Sequence, residues 1–203
     1  MKRLKDFVSF KFREKASVFL TELHPAEDKE ARNSLMLAVR KRDYDATHHC
    51  SAWREGVPVI AYGSDDDGEP AGTAGAPMLK VLEGQGITDV LAICVRWYGG
   101  TKLGTGGLVR AYTEGLQGAI SEGWRQNLFE EVCETVKGII EVSTEMAHLP
   151  FTILGGFKNA EILGQDFDKS VSILTFRIPT EERQEMEQAW RERSRGGIIE
   201  WQN

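Results

Sequence analysis

Two glycine-rich runs hold the residues of this chain whose types and spacing could do chemistry. The first is Ser64-Asp65-Asp66-Asp67-Gly68-Glu69-Pro70-Ala71-Gly72-Thr73-Ala74-Gly75-Ala76-Pro77, and it is acidic. The second is Arg96-Trp97-Tyr98-Gly99-Gly100-Thr101-Lys102-Leu103-Gly104-Thr105-Gly106-Gly107-Leu108-Val109-Arg110, and it is basic. Glycine clusters where φ is positive or where another group must approach the backbone. The acidic candidates are Asp66, Asp67 and Glu69. Such carboxylates can form a solvated acidic turn that favours the dipole of a following helix, they can hold Mg²⁺ beside a phosphate, or Asp67 or Glu69 can pair with Arg96 or Arg110 and fix the two loops against each other. Of the two functional readings the pairing is preferred, because it requires no ligand; the solvated turn stays open.

In the basic run, a strand, a glycine turn and a helix start form an anion site on general grounds. Free N–H groups point out of the helix end, where the dipole places partial positive charge. The candidate contacts are Arg96, Tyr98, Gly99, Gly100, Lys102, Gly104, Thr105, Gly106, Gly107 and Arg110. Arg110 reads as a first-turn residue, where a cation is disfavoured unless an anion binds there. The nucleotide motifs fail. Gly99 and Gly104 are followed by Thr105-Gly106 rather than Lys-Ser/Thr, and Val109 stands where a dinucleotide fingerprint needs glycine. A tight strand–helix connection with solvated cations accounts for the same residues and stays open.

His48-His49-Cys50 is the other chemically loaded triplet. A structural zinc site wants a second ligand pair, and His24, His148, Cys94 and Cys133 are scattered. A Cys–His nucleophile needs an orienting third group, and none is evident. The triplet therefore reads as core or strand-edge residues. No catalytic residue, metal site or cofactor is assigned.

The elements that position these loops follow from periodicity. Strands are expected at Val18–Leu20, His48–Trp53, Val57–Tyr62 and Val90–Trp97, the last an apolar run suited to burial on both faces. Helices are expected over Glu27–Arg42, from an N-cap at Thr73 to Glu83 with Gly84 as the stop, and from a cap at Thr105 to Glu122 with Gly123 as the stop. Beyond a boundary near Gln126, strands at Val136–Val142, Ala160–Phe167, Val171–Ile178 and Ile198–Trp201 alternate with helices at Leu149–Lys158 and Thr180–Arg195, the last stopped by Gly196-Gly197. The order βαββαβ is the ferredoxin-like split pattern. Met186 and Trp190 form an i, i+4 pair facing a core. The expected fold class is α+β, with domains over 1–126 and 127–203.

Bulk properties narrow the function classes. With 203 residues, 41% of them hydrophobic, the chain has material for one or two cores. A net charge of −6 disfavours broad, sequence-blind nucleic-acid binding and leaves room for a local basic patch. Three cysteines without paired spacing fit reduced thiols. The basic start lacks an apolar signal region, and no stretch approaches 18 apolar residues, so a cytoplasmic protein with no membrane contact is expected.

Asp66-Asp67-Gly68-Glu69-Pro70-Ala71-Gly72-Thr73-Ala74-Gly75, Val95-Arg96-Trp97-Tyr98-Gly99-Gly100, Leu103 through Tyr112, and His48-His49-Cys50 together resemble the IMPACT/YigZ family over residues 15–123. The chain departs at Val18, where the family usually carries arginine. The resemblance implies a first domain like the second domain of small-subunit ribosomal protein five and the fourth domain of translocating elongation factors. It implies a second domain like the ferredoxin-like C-terminal domain of those factors. Eukaryotic relatives are translation regulators acting through protein–protein competition. The expectation is a translation-associated, non-enzymatic binding protein whose basic loop meets RNA phosphate or an acidic protein surface. Its expected partners are the ribosome, RNA or a translation-related protein, with no DNA. Two alternatives are an enzyme acting on a small phosphorylated or nucleotide ligand, and a purely protein-binding regulator.

Overall fold

A computed structural model describes residues 1–195 and 197–202. The fold is α+β, in two compact units that divide after Val132. The first extends past Gln126 because two terminal strands pair. β1 (Lys2–Leu4) runs antiparallel to β8 (Phe129–Glu131) and parallel to β6 (Ile87–Thr88).

The site rests on a five-stranded antiparallel sheet in the order β2-β3-β7-β4-β5. Its strands are β2 (Val8–Glu14), β3 (Ser17–Pro25), β4 (His48–Glu55), β5 (Ala61–Asp65) and β7 (Val90–Trp97). β7 is buried on both faces, as its apolar run requires. Val90, Ala92 and Cys94 join one core, and Leu91, Ile93 and Val95 join another. The first core lies under α2 (Gly75–Gln85) and α3 (Thr105–Arg125); α1 (Lys29–Arg42) supplies Val39 to the second. α1 starts where Asp28 accepts the Ala31 N–H at 2.7 Å.

Several boundaries differ from the sequence reading. β5 begins at Ala61 because Val57–Val59 form the turn of the β4–β5 hairpin, where Pro58 has no N–H to give a ladder. α2 runs past Gly84 and ends at Gly86, which is left-handed at φ 65°. α3 runs through Gly123, whose missing side chain makes room for the Phe129 ring.

In the second unit, β9 (Thr135–Ser143), β10 (Glu161–Asp168), β11 (Val171–Pro179) and β12 (Glu200–Gln202) form an antiparallel sheet in the order β10-β11-β9-β12. α4 (Leu149–Leu154) stops before Gly155-Gly156, short of the expected Lys158. α5 (Arg183–Arg193) follows a 3₁₀ turn at Thr180–Glu182. The Gly196 half of its expected stop lies outside the described residues. Met186 and Trp190 are core, at 0% and 1% exposure.

Candidate ligand-binding cleft between the glycine-rich loops

The carboxylates of the acidic loop have separate duties. Asp66 reaches forward to the start of α2 and accepts the N–H groups of Gly72 at 2.7 Å, Ala74 at 3.0 Å and Gly75 at 2.8 Å. It, not Thr73, caps that helix. The Thr73 hydroxyl donates to the Pro70 carbonyl at 2.6 Å instead, and the residue at the cap position is Ala74. Desolvation pushes the Asp66 carboxyl up, but these three donors outweigh it and hold its pKa below the usual range. Asp67 sits at φ 41° and accepts from Arg40 of α1 and from the His49 N–H at 2.6 Å. Its pKa is likewise lowered, with Arg40 and the His49 N–H overcoming desolvation.

Glu69 is the carboxylate that crosses to the basic loop. Its side chain is 3% exposed, and Oε1 accepts from Arg96 Nη1. This is the loop-to-loop pairing expected from sequence. The same oxygen accepts the Tyr112 hydroxyl of α3 at 2.7 Å. Arg96 also reaches Ser17 Oγ at 3.3 Å, while its buried Nε has no partner among the described residues. His48, opposite Arg96 in the β4–β7 register, comes within 3.8 Å of Glu69 Oε1 through Nε2. Its Nδ1 lies 2.8 Å from the Asp67 carbonyl, which can only accept, so Nδ1 carries the proton.

Both loops face one cleft of about 430 Å³, whose walls include His48, Glu69, Arg96, Tyr98, Lys102 and Gly104. Gly99 touches the β2–β3 turn so closely that a Cβ would sit 1.9 Å from the Ala16 carbonyl oxygen. Gly104, at φ 74°, turns the chain into α3 with no side-chain cap on the helix. The intrahelical bonds begin with Leu108 N–H to the Gly104 carbonyl, so the Thr105, Gly106 and Gly107 N–H groups precede the ladder. Gly100, at φ 87°, belongs to the same exposed turn. Lys102 stands beside the helix mouth, and Lys15 Nζ bonds the Lys102 carbonyl at 3.4 Å, bringing a second cation there.

Arg110 differs from its expected place. α3 starts at Thr105, so Arg110 lies in the second turn, exposed, and it is not among the residues that line the cleft. Among the described residues it has no carboxylate partner, and a cation in the second turn carries no first-turn dipole penalty. The sequence reading missed His48, Tyr112, Ser17, Thr47 and Lys15 as parts of the site. His48 had a local signal in the His48-His49-Cys50 alternation; the others are joined to the loops only by tertiary structure, Tyr112 through the packing of α3 and Ser17, Thr47 and Lys15 through the sheet and its turns. Cys50 is no nucleophile, since burial raises its thiol pKa far out of the ordinary range, and Cys94 is pushed up to about 12 by burial. Among the described residues no cluster of three His, Cys, Asp or Glu side chains is placed to hold a metal ion.

The Impact N-terminal domain pattern matches residues 15–120, a span that contains every wall of the cleft. IMPACT family member YigZ of Escherichia coli is 47% identical over 110 residues, covering 53% of this chain and 54% of that protein. The chain thus spans about half the length of that relative. An IMPACT family member of Haemophilus influenzae is 35% identical over 173 residues, covering 84% of this chain and 81% of its own. A crystal structure of a hypothetical protein superposes with a TM-score of 0.63 at 32% identity, covering 98% of this chain and 95% of that one. With half of its length matched by the domain pattern and a relative 35% identical over 84% of this chain and 81% of its own, the chain belongs to the IMPACT family.

Proposed function

We propose that this protein is a translation-associated binding protein, and that the loop at the start of α3 makes its contact with RNA phosphate or with the carboxylates of an acidic protein surface. Membership of the IMPACT family supports the translation association, since the eukaryotic members to which the motifs point regulate translation. The observation that carries the contact is the open end of α3. Its first N–H groups have no side-chain cap, in contrast to α1 and α2, and Lys102 and Lys15 stand beside it. Helix dipole and ammonium groups there act on the same sign of ligand. Locating the attraction on one loop reconciles it with the net charge of −6.

Binding of ribosomes and of a structured RNA across a salt series tests this reading. The wild-type chain binds at low salt, and Lys15→Ala with Lys102→Ala weakens binding and lowers the salt slope by roughly one per lost phosphate contact. Arg110→Ala has little effect. Absence of binding to either at low salt, or a slope unchanged in the double variant, overturns it.

A further inference from the structure

The sheet of the second unit ends on a strand that no other strand pairs on its outer side. β10 is the outermost strand of the order β10-β11-β9-β12, and it is the longest edge strand among the described residues. Alternate residues of an edge strand turn their N–H and C=O groups away from the sheet, where another extended chain can take them. Every β10 residue except Gly164 is exposed. A bulge at Leu163 interrupts the ladder to β11, so regular pairing runs from Gly164 to Asp168.

The two faces of β10 have opposite character. Ile162, Gln165 and Phe167 stand opposite Phe176, Leu174 and Ser172, which places them on the side of the core. Leu174 and Phe176 are buried there, whereas Ile162 is 47% and Phe167 63% exposed, so the apolar face extends one strand beyond its cover. Asp166 and Asp168 stand opposite Ile173 and Val171, on the other face. Glu161, at the start of the strand, takes Arg177 at 3.2 Å, while neither aspartate has a cationic partner among the described residues. A second copy of β10 is a poor occupant of this edge. Antiparallel pairing of two Gly164–Asp168 runs about their centre sets Asp166 against its own counterpart, and like charges directly opposite are destabilising. The basic start of this chain is already paired, in β1.

We infer that β10 binds a basic, extended segment of another protein as a further strand of this sheet. Lysine or arginine on alternate residues of the segment faces Asp166 and Asp168, and the apolar residues between them face Phe167 and Ile162. Main-chain hydrogen bonds hold the segment, and the alternation of its side chains selects it. The site uses no residue of the cleft and takes a ligand of opposite charge, so it is independent of the function proposed above.

Fluorescence anisotropy of labelled peptides titrated with the full chain tests the inference. An alternating lysine-valine octapeptide binds about tenfold more tightly than a block peptide of four lysines followed by four valines. Only the alternating peptide sets its charges against Asp166 and Asp168 while its valines meet Phe167. Methylation of every backbone nitrogen of that peptide abolishes binding and leaves its charges in place. Asp166→Lys with Asp168→Lys, both at exposed positions, loses the lysine-valine peptide and gains an alternating glutamate-valine one, a reversal that a misfolded chain would not show. Equal binding of the alternating and block peptides, retention of the methylated peptide, or an unchanged preference in the charge-reversed chain overturns the site. So does a chain that self-associates and takes up none of the peptides, an outcome that gives the edge to a second copy.

Discussion

At the scale of single residues, the acidic loop works through carboxylates with assigned partners. Asp66 holds three N–H groups at the start of α2, so Asp66→Ala is expected to cost about 2 kcal/mol, the upper end for loss of a helix cap. Urea denaturation checks this, with the midpoint falling and the slope unchanged. The pH dependence follows from the lowered pKa values of Asp66 and Asp67. The unfolded chain takes up protons on these groups near pH 4, before the folded chain does. Their contribution is therefore complete above that pH and is lost as pH falls through the lower folded-state values. Denaturation midpoints measured from pH 6 to pH 2 should fall, and Asp66→Asn should flatten part of the decline. Glu69→Gln is expected to cost about 3 kcal/mol, because it leaves the buried Arg96 guanidinium without its counter-charge. A thermal melt that matches wild type would refute that role.

At the scale of elements, Gly99 fixes how the β7–α3 connection crosses the β2–β3 turn. Gly99→Ala drives a methyl group onto the Ala16 carbonyl, and a loss of about 3 kcal/mol is expected from the overpacking. The measurement is again a denaturation midpoint, with Gly106→Ala, whose Cβ would meet nothing, as the comparison. Legibility varied with how local the cause was. β7 could be read because both its faces are apolar, and α1 because its cap and its face lie within one segment. β2 is also written locally, as Val8, Phe10 and Phe12 on alternate positions, although the strands expected from sequence begin only at Val18. β1 and β8 have three residues each and exist through each other, so no local pattern announces them. Local capping rules point to Thr73 for α2, whereas the carboxylate that accepts the helix-start N–H groups is Asp66, several residues upstream. The cleft was half legible. Its glycines and charges stood out, but the approach of His48 and Tyr112 to Glu69 depends on strand register and on the packing of α3.

At the scale of the whole molecule, the two units have separate cores. A chain ending at Val132 is expected to unfold cooperatively and to keep the cleft, which lies wholly before that residue. A chain ending at Gln126 loses the β1–β8 pairing and Phe129, which is 6% exposed with its ring beside Trp124, and should lose about 3 kcal/mol or more relative to the longer one. Circular dichroism melts of the two chains make the comparison. The oxygen Glu69 Oε1 joins β7 through Arg96 and α3 through Tyr112, with His48 of β4 alongside. Positions tied through one atom do not mutate independently. In a library of paired substitutions, Glu69→Leu with Arg96→Met should be better tolerated than either change alone, because the pair leaves no orphaned charge. Sequence drift at this centre is thereby confined to coordinated steps, and any single replacement has to pass through a less fit intermediate.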